Sequence, residues 1–143
     1  MFVMKDMIAA LATEFAGVAE DAIKEIKTSI DAMLAGKLSN SEGMLNVARQ
    51  THSLKGQGAT FGFANVSLVA HLAEDCMEGM GSQLDPGKLL PFFDRITDVV
   101  AGRLPAEIES ARVTEGLPVP SLFNVSDVKG AVVRTVLMMP SGT

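Results

Sequence analysis

The stretch SNSEGMLNVARQTHSLKGQGATFGF, Ser39–Phe63, decides the fold. It opens on Ser-Asn-Ser-Glu, the S-x-x-E spacing of a capping box, in which hydroxyl and carboxylate each satisfy a free amide at a helix start. A helix therefore begins near Asn40. Met44, Val47, Ala48, Thr51, Leu54 and Gly58 recur at helical spacing as its buried side, and Phe61-Gly62-Phe63 ends it. His52, Lys55, Gly56 and Ala59 are left on an outward stripe, because positions i, i+3, i+4 and i+7 share a face. A glycine inside a helix costs roughly 1 kcal/mol against alanine, yet Gly56, Gly58 and Gly62 crowd this one segment. Some benefit should offset that. At Gly56 the benefit is access, since bare backbone one turn from His52 lets another protein approach the ring. At Gly58, on the opposite side, smallness lets neighbouring helices pack closely.

Upstream, Met4, Met7, Ile8, Leu11, Phe15, Val18, Ala22, Ile26, Ile30, Met33 and Leu34 recur every three or four positions and predict one long amphipathic helix, which Gly36 ends. Downstream, Asn65 is placed to cap a third helix running to about Met80. Val66, Val69, Ala73, Cys76, Met77 and Met80 should face inward, and Ser67, His71, Glu74 and Glu78 lie on another side. Asp85-Pro86 reads as a cap followed by proline at the first helical position. From there Leu89, Leu90, Phe93, Ile96, Val100 and Leu104 continue a fourth helix that Pro105 should kink or break, with Ile108 and Ala111 extending its apolar side. Four helices with short connections predict an all-α fold, an antiparallel up-and-down four-helix bundle over residues 1–114. Residues 115–143 form a C-terminal extension. There Gly116-Leu117-Pro118-Val119-Pro120 reads as a linker, and Val125, Val128, Val132, Val136 and Met139 fit a helical stripe while 132–137 also fits a strand. A lone strand would have no ladder partner, which favours a short helix laid on the bundle, or a dimer contact.

The 143 residues, 48% apolar, suffice for one domain with its own core. A net charge of −5 argues against nucleic acid or an anionic membrane as partner. Cys76 is the single cysteine, which points to a reducing, cytoplasmic location. The opening Met1-Phe2-Val3-Met4 is broken by Lys5 and Asp6, so it reads neither as a secretory leader nor as a membrane span.

The segment His52-Ser53-Leu54-Lys55-Gly56 through Phe61-Gly62 resembles the signature of histidine phosphotransfer (HPt) domains, the helical-bundle proteins of two-component phosphorelays. The run Gly58-Ala59-Thr60-Phe61-Gly62-Phe63 is similar to the N-terminal phosphoacceptor domain of chemotaxis-type histidine kinases. The resemblance covers roughly residues 4 to 112. It implies a phosphoacceptor at His52, supported by Lys55 on its own helix and by His71 and Glu74 on the next. It also implies a phosphocarrier rather than an enzyme, whose partners are a histidine kinase and a response-regulator receiver domain. No cofactor of its own is expected, any Mg2+ residing on the partner. No kinase catalytic domain follows, so the sequence reads as a free-standing transfer protein or a fragment of something larger.

The residue types suit that chemistry. Imidazole is largely neutral and nucleophilic at cellular pH. Lys55, one turn away, could attract phosphoryl oxygens as a point charge. Glu74, accepting a proton from one ring nitrogen, would leave the other as nucleophile. Gly56 and Ala59 would leave room for a docking partner. Two other classes stay open on the residues alone. His52, His71, Glu74 and Cys76 are metal-ligand types, although neither a histidine pair nor a cysteine pair has ligand spacing. The bundle could also be an interaction module that regulates a partner kinase with its histidine idle.

Overall fold

The computed structural model describes residues 4–104 and 109–118. Among the described residues five α-helices are formed, α1 Met4–Leu34, α2 Asn40–Thr60, α3 Ala64–Met80, α4 Leu90–Val100 and the single turn α5 Ser110–Val113, with a 3-10 turn at Pro86–Leu89 before α4. α1 packs on α2 and α4, and α3 packs on the same two, which closes a four-helix bundle. Successive long helices are joined by short loops and run antiparallel. No helix among the described residues is long and apolar enough to cross a membrane.

α1 ends where glycine allows it. Gly36 adopts φ +74°, and the amides of Gly36 and Lys37 turn back to the carbonyls of Met33 and Ala32. At the start of α2 the Ser39 hydroxyl accepts the Glu42 amide at 3.1 Å. The capping box is half formed, because the Glu42 carboxylate receives the Ser39 hydroxyl at 3.4 Å and not the cap's backbone amide. α2 buries Gly43, Val47, Thr51, Leu54 and Gly58. Ala48, expected inside, is exposed and Met44 is half-buried, since Gly43 turns inward under the Met33 side chain.

The core is made by Phe15, Ile26 and Ile30 of α1, Val47 and Leu54 of α2, Val66, Val69 and Leu72 of α3, and Phe92, Phe93 and Ile96 of α4, all essentially sealed from water. Each such side chain contributes roughly 1.5–3 kcal/mol of burial. Phe61 and Phe63, in the α2–α3 turn, bring their rings to 5.6 and 5.0 Å from Phe15, so the turn closes directly against α1. Asn46 donates to Ser29 and Gln50 to Glu25 across the α1–α2 seam, and Lys27 pairs with Asp94 across α1–α4.

Three sequence expectations are corrected. Met4, Met7, Ile8, Leu11, Val18 and Leu34 are exposed, while Ala19 and Ile23 take core places. Periodicity marks an apolar face, but Met4–Glu14 extends past Phe15, the level at which α2 ends, and this leaves Met4, Met7, Ile8 and Leu11 uncovered. Asn65 does not cap α3. The cap is Phe63, and Asn65 lies buried within the first turn. The fourth helix is shorter at both ends than its pattern. Pro91 has no amide to give, so Pro86–Leu89 winds as a 3-10 turn without a cap bond from Asp85. Gly102, at φ +81°, ends α4 before Pro105 is reached. Pro105 and Ile108 lie outside the described residues, and Ala111 is exposed on α5.

Arg95 on α4 donates to the carbonyls of Val113 and Glu115 at 2.6 and 2.9 Å, and Leu117 is buried against the core. The chain is therefore still on the bundle at Leu117, beyond the point where the glycine-proline run suggests a departure. The valine stripe from Val125 to Met139 lies outside the described residues.

Candidate functional site

Rotation of α2 is set by its buried side. Thr51 is sealed in the interface, its hydroxyl returned to the Val47 carbonyl at 2.6 Å, and Leu54 is 1% exposed. His52 between them is turned out, with 74% of its side chain in water.

Gly58 sets the gap to α3. A Cβ there would stand 3.1 Å from the Ser67 amide nitrogen and from a Val66 methyl, and 3.2 Å from the Phe63 carbonyl oxygen. Only a bare backbone fits without displacing α3. The same contact fixes register, because the helices are antiparallel. Seven residues back from Gly58 is Thr51, and seven forward from Ser67 is Glu74, so two turns from the close approach Glu74 arrives beside His52.

His52 Nδ1 lies 3.1 Å from Glu74 Oε2, and Lys55 Nζ lies 2.6 Å from Glu74 Oε1. One carboxylate thus takes a ring nitrogen and an ammonium, one on each oxygen. Burial between the helices pushes the Glu74 carboxyl up, but the hydrogen bonds from Lys55 and His52 and the attraction of both outweigh it and hold it below the ordinary glutamate value. Glu74 is therefore an acceptor only, and Nδ1 must be the protonated nitrogen. In the neutral ring the lone pair then sits on Nε2.

Beyond the ring, a Cβ on Gly56 would meet nothing within 4 Å, and Ala59 is exposed. His52, Gly56 and Ala59 of the outward stripe are open, as their spacing predicts, while Lys55, expected with them, is half-buried against Glu74. A family model described as the Hpt domain matches residues 7–113, three quarters of the chain. The chain belongs to the Hpt domain family. Comparison with curated proteins and with solved structures returns no match.

Within this Hpt domain the residues singled out in the sequence divide into two groups. His52, Lys55 and Glu74 form one connected cluster, and Gly56 and Ala59 flank it on α2. His71 stands apart, its Nε2 reaching Asp75 Oδ2, one turn on along α3, at 3.4 Å. It shares with Glu74 a hollow of about 440 Å³, also lined by Ala48, Asp75, Met77 and Glu78. Asp75 was not marked by the sequence pattern. Burial raises its carboxyl, the His71 imidazole works against that, and Glu78 and Glu74 add to it. The i, i+4 spacing from His71 is the signal that could have found it.

The metal-ligand types do not converge. Cys76 is half-buried on the core side of α3, where burial pushes its thiol up. Among the described residues no group of three or more His, Cys, Asp or Glu side chains could hold a metal ion.

Proposed function

We propose that this Hpt domain accepts a phosphoryl group on Nε2 of His52 from a histidine kinase or a phosphorylated receiver, and passes it to a receiver aspartate. The observation that carries this reading is the contact of Nδ1 with Glu74 on a ring otherwise open to water. In transfer from a receiver, the Nε2 lone pair forms a bond to phosphorus while the P–O bond to the aspartyl carboxylate breaks. The carboxylate leaves with its electron pair. The Nδ1 proton stays in place, so the ring becomes a cation facing the Glu74 anion, and the reverse step regenerates the neutral imidazole.

Lys55 is fastened to Glu74 by one of its three N–H donors, and the other two are free to meet phosphoryl oxygens. Gly56 and Ala59 keep the ground beside the ring low enough for a partner to dock. Any Mg2+ needed belongs to the partner's aspartate site, and this chain serves as substrate of the transfer. The likeness of 58–63 to chemotaxis-type kinases supports a place for the domain at the head of such a relay, in the cytoplasm. The test is incubation with phosphorylated receiver and Mg2+. Phosphate on the chain that is acid-labile, and absent from His52→Gln, supports the reading. Phosphate that persists in that variant refutes it.

A further inference from the structure

The first eleven residues of α1, Met4–Glu14, run past Phe15, the level at which Phe61 and Phe63 close the bundle. At helical rise that overhang is about 16 Å. Its apolar residues do not point away from the protein. Leu11 stands one helical turn before Phe15 and Ile8 about two, on the same broad side, so they look across the end of the bundle. Met4 is 67%, Ile8 57% and Leu11 41% exposed. With Met7 and Val18 they leave an uncovered apolar stripe larger than any isolated surface residue.

We infer that this stripe is the docking site of the chain's own segment 119–143. Three observations select that occupant. The first is length: Met4 to Val18 and Val125 to Met139 each advance fourteen residues, about 21 Å at helical rise, and both repeat apolar residues every three or four positions. The second is reach. Arg95 and the buried Leu117 moor the chain beside α4, with α5 packed on α3, and the residue before Arg95, Asp94, pairs with Lys27 on α1. Leu11 is sixteen residues from Lys27, about 24 Å along the helix, and the 25 residues after Pro118 span that distance helical or extended. The third is charge. Glu14 and Asp21 border the α1 stripe on one side, and Lys129 and Arg134 lie within the apolar run of 119–143. A tethered segment also acts at an effective concentration in the millimolar range, which a second copy of the chain does not match in dilute solution.

The experiment is amide exchange followed by NMR on the full chain, with sedimentation on the same samples. Val132→Asp combined with Val136→Asp should raise exchange in Met7–Glu14 at least tenfold and leave Ala19–Met33 unchanged, the latter reporting an intact bundle. Leu11→Asp should free the backbone amides of residues 125–139 to a similar extent. All samples should sediment as monomers. Unchanged exchange in Met7–Glu14 in the double variant would overturn the proposal. So would a concentration-dependent dimer that Leu11→Asp abolishes, because the occupant would then be a second copy.

Discussion

Glu74 on α3 meets Nδ1 of His52 on α2 at 3.1 Å, across 22 positions of sequence, and its other oxygen is held by Lys55 at 2.6 Å. The imidazole is thus steered from the neighbouring helix while its Nε2 edge stays in water. What each residue around this contact contributes can be measured separately.

His52→Gln should abolish phosphorylation and leave the fold intact. The ring is largely in solvent, so the change in stability should fall within about ±0.5 kcal/mol. Phosphotransfer followed with radiolabelled receiver, beside a thermal melt, checks both halves.

Glu74→Gln should slow phosphorylation without stopping it. The amide oxygen still accepts from Nδ1, but the anion that favours the developing ring cation is gone. Charge-assisted hydrogen bonds exceed neutral ones by roughly 1 kcal/mol, which is about a fivefold loss in rate. A rate unchanged in single-turnover transfer would show that the contact does not serve the chemistry.

Gly56 and Gly58 should respond in opposite ways. Gly56→Leu adds a better helix former in open space, so stability should hold or rise while transfer from a receiver falls through obstruction. Gly58→Ala pushes a methyl to about 3.1 Å from α3 backbone, and overpacking of that kind costs on the order of 1–3 kcal/mol, partly offset by helix propensity. Urea melts of the two variants beside transfer rates distinguish an access glycine from a packing glycine.

The Glu74 contact should give stability a specific pH dependence. Its carboxyl lies below the ordinary value in the folded chain, so its contribution is complete above the unfolded value of about 4.3 and drains as pH falls through the folded one. Asp75, raised by burial, works in the other sense, contributing at low pH and losing that contribution as pH rises through its folded value. The gap in melting temperature between the parent and Glu74→Gln isolates the first effect. It should be widest near pH 7 and narrow as pH falls below the ordinary glutamate range, and a gap that widened on acidification would reverse the assigned sign.

Local chemistry made much of this legible. The inward and outward sides of α2 follow from apolar spacing alone, and Gly58 and Gly56 announce a close approach and an open surface by being where helices avoid glycine. The second partner of Glu74 and the partner of His71 were less accessible. That Lys55 spends a donor on this carboxylate, and that His71 turns to Asp75, depends on how two helices are phased against each other. Spacing within one helix does not carry that information. The ends of elements failed for a related reason. Asn65 and Pro105 are good terminators by residue type, yet Phe63 and Gly102 come first along the chain and already turn the backbone. The exposed front of α1 could not be foreseen from periodicity, since an apolar stripe looks the same whether or not a neighbour is long enough to cover it.

The stacking of Phe15 on Phe61 and Phe63 bears on the order in which the molecule assembles. α2 and α3 are joined by three residues and close a small loop, whereas Phe15 must find a turn 46 positions away. Loop closure favours the shorter excursion, so the α2–α3 turn, with its Gly58 seam, is expected to close before the Phe15 end of α1 docks on it. Phe15→Leu should then quicken unfolding in stopped-flow measurements while leaving the folding rate nearly as it was. The helix pair that presents His52 would be the first part of the chain to take shape, and α1 the clasp that keeps it shut.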